Sequence, residues 1–232
     1  MPSRNIVKIY AKETYYHIYN RGVEKRVIYK DSQDYKVFLK YLKEYLNPPP
    51  KPEDIRTSFI MQGETFKGIK RQPRNYHKRI NLLAYCLMPN HFHLLLKQTN
   101  ESDMQEFMRS LSTRYSIYFN KRYKRVGGLF QGPYKAVLIR DDSYLLHLSR
   151  YIHLNPSEFT DDIINSYSSY GDYLRLRKTK WVKPDIIIKF FENITAPEFK
   201  KINSYKKFVE IFKKDSALFL GNLTLDNEDE EN

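Results

Sequence analysis

Two histidines separated by one residue lie within an apolar stretch of this chain. His91 and His93 belong to residues 87–95, which read LMPNHFHLL, and further leucines flank the segment on both sides. Side chains alternate between the faces of a strand, so both imidazoles project from one face and Phe92 and Leu94 from the other. The apolar surroundings predict a central strand covered on both faces. Two imidazoles placed in this way are suited to bind a metal ion.

The same pair also fits a simpler interpretation, in which both histidines are satisfied structural residues of the core. A His-x-His spacing alone does not decide between a metal site and a structural pair. Further polar residues that could join the site are therefore needed to favour the metal site.

A second polar group is expected on one helix downstream. Residues 143–155 read SYLLHLSRYIHLN and carry apolar residues at helical spacing, and the candidate N-caps are Asp142 and Ser143. Tyr151 and Asn155 are four residues apart and therefore lie on one side of this helix. A tyrosine hydroxyl can act as a nucleophile, and an amide oxygen can complete a metal site. The alternative is that Tyr151 is simply one of 20 tyrosines and Asn155 a helix C-cap.

The charge balance indicates an anionic partner. Lys and Arg total 40 against 27 acidic residues, the net charge is +13, and aromatic residues make up 15% of the chain. A basic surface interleaved with aromatic rings suits a phosphate backbone with unpaired bases. Basic residues cluster at 67–79, 121–125 and 175–183; each cluster alone would fit a solvated surface, but three together favour nucleic acid. The candidate DNA contacts are Arg21, Lys67, Lys70, Arg71, Arg74, Lys121, Arg122, Lys124, Arg125 and Lys135.

Composition also excludes several classes of protein. The single cysteine, Cys86, rules out an internal disulfide and a cysteine-based zinc site, and its position in a strand predicts a buried thiol. No apolar run is long enough to span a bilayer, and the N-terminus lacks the apolar region of a signal peptide. We therefore expect a cytoplasmic protein without a membrane partner.

The pattern of elements predicts an α+β fold. Strands are expected at 14–19, 80–88, 91–98 and 135–139, with a short one at 57–61, and helices at 32–46, 103–123 and 143–155. Strands and helices mixed in this way favour an antiparallel sheet with helices packed on it. Weaker signals predict helices at 183–191 and 205–213. We expect a catalytic domain over 1–175, a helical appendage over 176–225 and a disordered acidic tail over 226–232.

At its two polar motifs the chain resembles the single-tyrosine HUH transposases, most closely the REP-associated tyrosine transposases of bacteria. PNHFHLL at 89–95 precedes SRYIHLNP at 149–156, in the order that this family shows. The resemblance covers about two thirds of the chain and includes residues 15–22, 34–42, 127–139 and 167–174. It implies a ferredoxin-like antiparallel sheet. Pro133 departs from the family, which often has arginine there, and this change removes one potential DNA contact.

The resemblance also implies roles for residues. His91, His93 and Asn155 would hold a divalent metal, Mg²⁺ or Mn²⁺, and Tyr151 would be the nucleophile. The reaction would be cleavage and strand transfer of single-stranded DNA by transesterification through a 5′-phosphotyrosine. Activation of the phenol is open, and His147, one helical turn before Tyr151, is a weak candidate base.

Three functional classes follow from these observations. The first is the metal-dependent endonuclease and strand transferase, acting on single-stranded or hairpin DNA as a monomer or homodimer in the bacterial cytoplasm, associated with the nucleoid. The second is a non-catalytic nucleic-acid-binding protein on the same fold. The third is a structural protein with a silent histidine pair. The enzyme is favoured because the candidate nucleophile and all candidate ligands are present together.

Overall fold

A four-stranded antiparallel sheet forms the centre of the fold. The computed structural model describes residues 8–69, 71–192 and 204–211. In chain order the elements are β1 (Thr14–Arg21), α1 (Ser32–Leu46), β2 (Arg56–Met61), β3 (Glu64–Ile69), β4 (Ile80–Met88), β5 (His91–Gln98), α2 (Asp103–Arg122), β6 (Lys135–Ile139), α3 (Asp142–Leu154), α4 (Tyr170–Tyr173), α5 (Asp185–Glu192) and α6 (Tyr205–Ile211).

The topology of the sheet confirms the predicted fold class. The strand order is β4-β5-β1-β6, and the pairs β4–β5, β5–β1 and β1–β6 are all antiparallel. When the separate hairpin β2–β3 is set aside, the chain runs β-α-β-β-α-β, which is the order of a ferredoxin-like fold. The protein is therefore an α+β structure with helices packed on an antiparallel sheet.

Both faces of the sheet are covered, as the apolar strands predict. Phe92 and Leu94 of β5 point into the core that also contains side chains of α1 and α2. Leu95 points to the opposite face, into a second core built with α3, α5 and α6. Alternation along β5 also places His91 and His93 on the α3 face, together with Leu95. The position of α3 therefore decides what covers the histidines.

Local sequence signals explain most helix boundaries. The Asp31 carboxylate caps α1 by accepting hydrogen bonds from the backbone N–H groups of Gln33 and Asp34. The prediction for the start of α3 was wrong by a residue. Asp141, rather than Asp142 or Ser143, is the N-cap, because its side chain accepts a hydrogen bond from the backbone N–H of Tyr144 at 3.1 Å.

The region between α1 and β4 forms a hairpin where only one short strand was expected. β2 begins one residue before the predicted short strand. It pairs with β3 in an exposed hairpin. Phe59 and Phe66 are cross-strand partners, and both are exposed. The sequence of β3 lacks the apolar alternation of a half-buried strand, so its pairing with β2 left no periodic signal.

The C-terminal helices pack on the α3 side of the sheet. Ile187 of α5 and Phe208 of α6 are fully buried in the second core, close to the predicted helices at 183–191 and 205–213. The predicted acidic tail, 226–232, lies outside the described residues. The division of the chain at residue 175 stays a prediction.

Cys86 lies in the second half of β4 and is fully buried. Burial raises the pKa of its thiol, which favours the unreactive protonated form. Within the described ranges we find no helix that combines the length and apolar character needed to cross a membrane.

Candidate active site

Strand pairing places the two histidines beside the end of β1. His91 begins β5 directly after the turn at 89–90, and its partner across the strands is Arg21. His93 pairs with Tyr19 on one side and with Cys86 on the other. Both imidazoles therefore lie on the α3 face, near the end of the sheet where β4 ends and β5 begins.

Each histidine has a partner for its Nδ1 atom. His91 Nδ1 lies 2.7 Å from the Asn90 side-chain oxygen, and His93 Nδ1 lies 2.9 Å from Nε2 of His17. The centroids of the two rings, His91 and His93, are 5.0 Å apart and their planes are nearly perpendicular, at 88°. When a partner holds Nδ1, Nε2 becomes the atom that can bind a metal.

His93 Nε2 is the clearest sign of a ligand position. This atom is buried, and it has no hydrogen-bond partner among the described residues. Leaving a buried polar atom unpaired costs about 1–3 kcal/mol, so such an atom is expected where a ligand supplies the missing contact. Burial, followed by the nearby His91 and His17, lowers the pKa of His93 well below its usual range. The ring is therefore neutral at pH 7, the form that binds metals.

Helix α3 brings Tyr151 against these rings. The Tyr151 ring centroid lies 5.5 Å from that of His93 and 6.4 Å from that of His17, in edge-to-face orientations of 85° and 80°. Only 5% of Tyr151 is exposed. The sequence predicted that Tyr151 and the histidines belong to one site, and the structure brings them into contact.

Asn155 follows the last residue of α3 and is buried. Its side-chain nitrogen donates a hydrogen bond to the Tyr151 carbonyl oxygen at 2.9 Å, and its backbone N–H bonds to the same carbonyl. The cap and ligand interpretations are therefore compatible, because capping uses the nitrogen and leaves Oδ1 as the donor atom for a cation. Over the described part of the chain, no group of three or more His, Cys, Asp or Glu side chains is arranged to hold a metal. Two imidazoles and an amide oxygen form a different donor set.

The two histidines of α3, His147 and His153, face the C-terminal helices. The His147 ring lies 5.4 Å from that of Phe208, and burial followed by Arg150 lowers its pKa to about 4. His153 is fully buried, with Nδ1 2.7 Å from the Tyr205 hydroxyl and Nε2 2.7 Å from the Ser169 hydroxyl. Both ring nitrogens of His153 thus have protein partners, which makes this residue a structural histidine.

We expect the protein to lose stability as pH falls below about 6.5, where histidines of an unfolded chain take up protons. Burial, followed by Arg177, lowers the pKa of folded His153 to about 3. Between these values only the unfolded state binds this proton, so the free energy of unfolding falls by about 1.4 kcal/mol per pH unit for one such histidine. In urea unfolding measured between pH 7 and 5, the free energy of unfolding should depend less steeply on pH for His153→Gln than for the parent. Equal slopes would contradict this assignment.

Two predicted DNA contacts lie beside the histidines. Arg21 pairs with His91 across the strands, and its Nε donates a hydrogen bond to the Gln131 side-chain oxygen at 3.2 Å. Lys135 begins β6, and its Nζ lies 5.9 Å from the centroid of the Tyr19 ring. These two cations share the α3 face of the sheet with the candidate metal ligands.

The basic end of α2 lies at the same end of the sheet. A hydrogen bond from the Val23 N–H to the Leu129 carbonyl places the loop that follows α2 beside the end of β1. Lys121 and Lys124 are exposed there. The other two predicted contacts are held by the protein: Arg122 forms 2.6 Å ion pairs with Asp31 and Asp34, and Arg125 bonds to Asn120 and Gly128.

The remaining predicted contacts are distant from the histidines. Arg71 and Arg74 are exposed and lead into Ile80, at the far end of β4. β4 has nine residues, and a rise of about 3.3 Å per residue puts its two ends about 26 Å apart. Lys67 is exposed on β3, whereas Lys70 lies outside the described residues. This segment can contact only DNA that extends well beyond the site.

His17 is the site residue that the sequence analysis missed. It lies in the middle of β1 on the face shared with Tyr19, fully buried against His93. Alternation along β1 could have indicated this face. The register of β1 on β5 depends on contacts between residues 76 positions apart, and one strand's sequence does not encode them.

Comparisons with known proteins were made on the sequence and on the fold. Residues 62–155 match the model of the family described as IS200-like transposases. The fold is similar to a solved REP-associated tyrosine transposase bound to a REP hairpin, at 10% identity and a TM-score of 0.50, over 78% of this chain and 98% of that chain. A putative transposase from Deinococcus radiodurans R1 has 16% identity and a TM-score of 0.34, over 66% and 95% of the two chains. No curated protein matches the sequence.

The family match contains most of the candidate site. It begins before β4 and ends at Asn155, so it includes His91, His93 and Tyr151. The structural similarity independently supports the fold around them. Residues 62–155 thus match the model of the IS200-like transposases, and the fold is similar to that of a solved REP-associated tyrosine transposase, which confirms the resemblance that the sequence motifs indicated.

Proposed function

We propose that this protein cleaves and rejoins single-stranded DNA through Tyr151, with a divalent metal held by His91, His93 and Asn155. The observation that carries the proposal is the contact between Tyr151 and His93, whose buried Nε2 has no hydrogen-bond partner among the described residues. A candidate nucleophile thus lies against a candidate ligand atom, inside the segment that matches the transposase family.

The reaction would be a transesterification at one phosphorus. The Tyr151 phenolic oxygen attacks, its bond to phosphorus forms, and the bond from phosphorus to the 3′ oxygen breaks. The departing 3′ oxygen takes up a proton, and the strand that begins with the 5′ phosphate stays attached to the protein. Because this phosphotyrosine keeps a phosphoester bond, a second 3′-hydroxyl can reverse the attack and rejoin the strand without ATP.

The donor set fits a divalent metal. Mn²⁺ or Mg²⁺ bound here would withdraw negative charge from the phosphate as the tyrosine attacks. The protein's contribution is to hold two imidazoles by their Nδ1 atoms, through Asn90 and His17, and an amide fixed at the end of α3. An oxygen ligand beside two imidazoles, with phosphate oxygens added, favours these two ions over zinc or copper.

The attacking phenol must lose its proton, and a tyrosine ordinarily titrates near pH 10. His147 lies one helical turn before Tyr151 and is neutral at pH 7, so it can accept a proton, but its pKa of about 4 makes it a weak base. Lys135 lies on the same face of the sheet, beside Tyr19, and a positive charge brought close to the phenolic oxygen would favour the phenolate.

The shape of the site favours a flexible strand as substrate. Tyr151 is 95% buried on a rigid helix, so the scissile phosphate must be threaded to it. Four cations lie at the end of the sheet beside the histidines and would contact the flanking phosphates. They are Arg21, Lys135 and the exposed Lys121 and Lys124. A hairpin with a single-stranded flank presents such a strand, and the solved relative is bound to a hairpin.

We expect cleavage of single-stranded DNA and of hairpins with a single-stranded flank, and at least about 100-fold slower cleavage of the same sequence in a blunt duplex, because a paired backbone cannot be threaded to a buried phenol. The measurement compares cleavage rates of the three matched substrates in Mn²⁺. Binding should weaken as salt rises, with a slope of about −0.7 per neutralised phosphate on a single strand.

The control is the same set of substrates made of RNA. Equal cleavage of all three DNA substrates would contradict the single-strand assignment, and faster cleavage of RNA would indicate a ribonuclease. Salt-dependent binding without cleavage of any substrate would instead support a non-catalytic nucleic-acid-binding protein.

A further inference from the structure

His17 occupies a position from which it can reach the candidate metal site only through another residue. It lies in the middle of β1, between Leu95 of β5 and Val137 of β6 in the strand register, and it is fully buried. A side chain without solvent exposure cannot contact a DNA strand. Its Nε2 atom lies 2.9 Å from His93 Nδ1, and the two rings are nearly parallel, at 18°, with centroids 5.1 Å apart.

The pattern of hydrogen bonds distinguishes this pair from an ordinary structural pair. In a purely structural arrangement both nitrogens of each buried ring find protein partners, as those of His153 do. His93 has a partner only at Nδ1, and Nε2 is buried with no hydrogen-bond partner among the described residues. The bond to His17 therefore acts on a ring whose other nitrogen is kept for a ligand.

We propose that His17 is a positioning residue, which accepts the Nδ1–H proton of His93 in a hydrogen bond and thereby fixes the tautomer and ring orientation that present His93 Nε2 to a divalent metal. The inference rests on the proposed function, because it assigns a role toward the same metal. The proton of His17 then lies on its own Nδ1, since one neutral imidazole carries a single N–H.

The hydrogen bond has two physical consequences. Accepting the Nδ1–H of His93 increases the electron density of that ring and makes Nε2 a stronger ligand. The same hydrogen bond also restrains rotation of the His93 ring, so less conformational freedom is lost when a metal binds. Loss of an outer partner of this kind typically lowers metal affinity by about 10- to 100-fold.

The test compares two variants of the full chain, His17→Phe and His17→Gln. A glutamine side-chain oxygen reaches about the position of an imidazole Nε2 and can accept the same hydrogen bond, whereas phenylalanine fills the space without an acceptor. Mn²⁺ alone is titrated into each protein by calorimetry, without DNA. We expect His17→Phe to bind Mn²⁺ about 10- to 100-fold more weakly than the parent, and His17→Gln to stay within a few-fold.

A second readout separates positioning from direct ligation. Pulsed EPR of bound Mn²⁺ reports the nitrogen atoms coordinated to the ion, and His17→Gln should retain both imidazole signals of the parent. Loss of one signal in His17→Gln would make His17 a metal ligand and overturn the inference. His17→Asn is the second variant if His17→Phe does not fold, because its shorter amide keeps a polar group in the core but does not reach His93 Nδ1. It should lose affinity as His17→Phe would.

The outcomes separate this inference from the proposed function. If the parent binds Mn²⁺, His91→Ala binds it at least about 100-fold more weakly and both His17→Phe and His17→Asn bind as the parent does, the role of His17 is wrong and the metal site stands. If the parent itself binds no Mn²⁺, the metal site fails and the inference fails with it. Thermal unfolding and metal-free binding of single-stranded DNA establish that each variant is folded.

Discussion

Replacement of Tyr151 by phenylalanine is expected to abolish DNA cleavage, by at least about 10⁴-fold, because it deletes the attacking oxygen and nothing else. The ring stays in place and keeps its contact with His93, so single-stranded DNA should bind within a few-fold of the parent. Cleavage rates and binding constants measured on the same oligonucleotide check both parts of this expectation.

The structure limits the tyrosines that could substitute. The Tyr115 hydroxyl donates to the Ile28 carbonyl, and the Tyr118 hydroxyl donates to Asp34, both on the α1 and α2 side of the sheet. Tyr144 is a further candidate, in the first turn of α3 and 38% exposed. Tyr144→Phe is the matched control and should cleave as the parent does. A covalent DNA adduct formed by Tyr151→Phe would show that the nucleophile has been assigned wrongly.

Removal of either histidine ligand is expected to have the second largest effect. His91→Ala and His93→Ala should each lower Mn²⁺ affinity by at least about 100-fold, and metal-dependent cleavage should be lost with it, since a missing ligand costs more than a missing outer partner. Asn155→Ala should cost less, about 10-fold, because water can replace one neutral oxygen ligand. Calorimetric titration with Mn²⁺ and cleavage assays at saturating metal separate affinity from rate.

His91→Ala is the cleaner of the two variants, because His91 is partly exposed whereas His93 is fully buried and leaves a cavity. His153→Gln provides the control on α3, since both nitrogens of His153 bond to protein groups away from the site. If His153→Gln reduces metal affinity as much as His91→Ala does, the wrong face of α3 has been assigned to the site.

Local signals were sufficient to predict the elements that carry the site. The bounds of α1, β4 and β6 agree with the prediction because caps, prolines and short apolar runs mark them within a few residues. The same alternation placed His91 and His93 on one face, and helical spacing placed Tyr151 above Asn155. These relations depend only on the period of a strand and the period of a helix.

Relations between distant segments could not be predicted from the residues alone. The contact of His17 with His93 depends on strand register, and the pairing of β3 with β2 leaves no buried face to detect. The basic segment 67–79 looked equivalent to 121–125 in sequence, yet Arg71 and Arg74 precede the far end of β4. Charge marks a surface as basic without placing it near a site.

The central claim is that Tyr151 becomes covalently attached to DNA, and its most direct test is capture of that adduct. The full chain is incubated in Mn²⁺ with 3′-labelled single-stranded and hairpin oligonucleotides of randomised sequence, denatured and digested, and the labelled peptide is identified by mass spectrometry. We predict that the label stays with the protein through Tyr151 and that the released fragment ends in a free 3′-hydroxyl. Absence of any adduct across the pool, or attachment through another residue, would contradict the account.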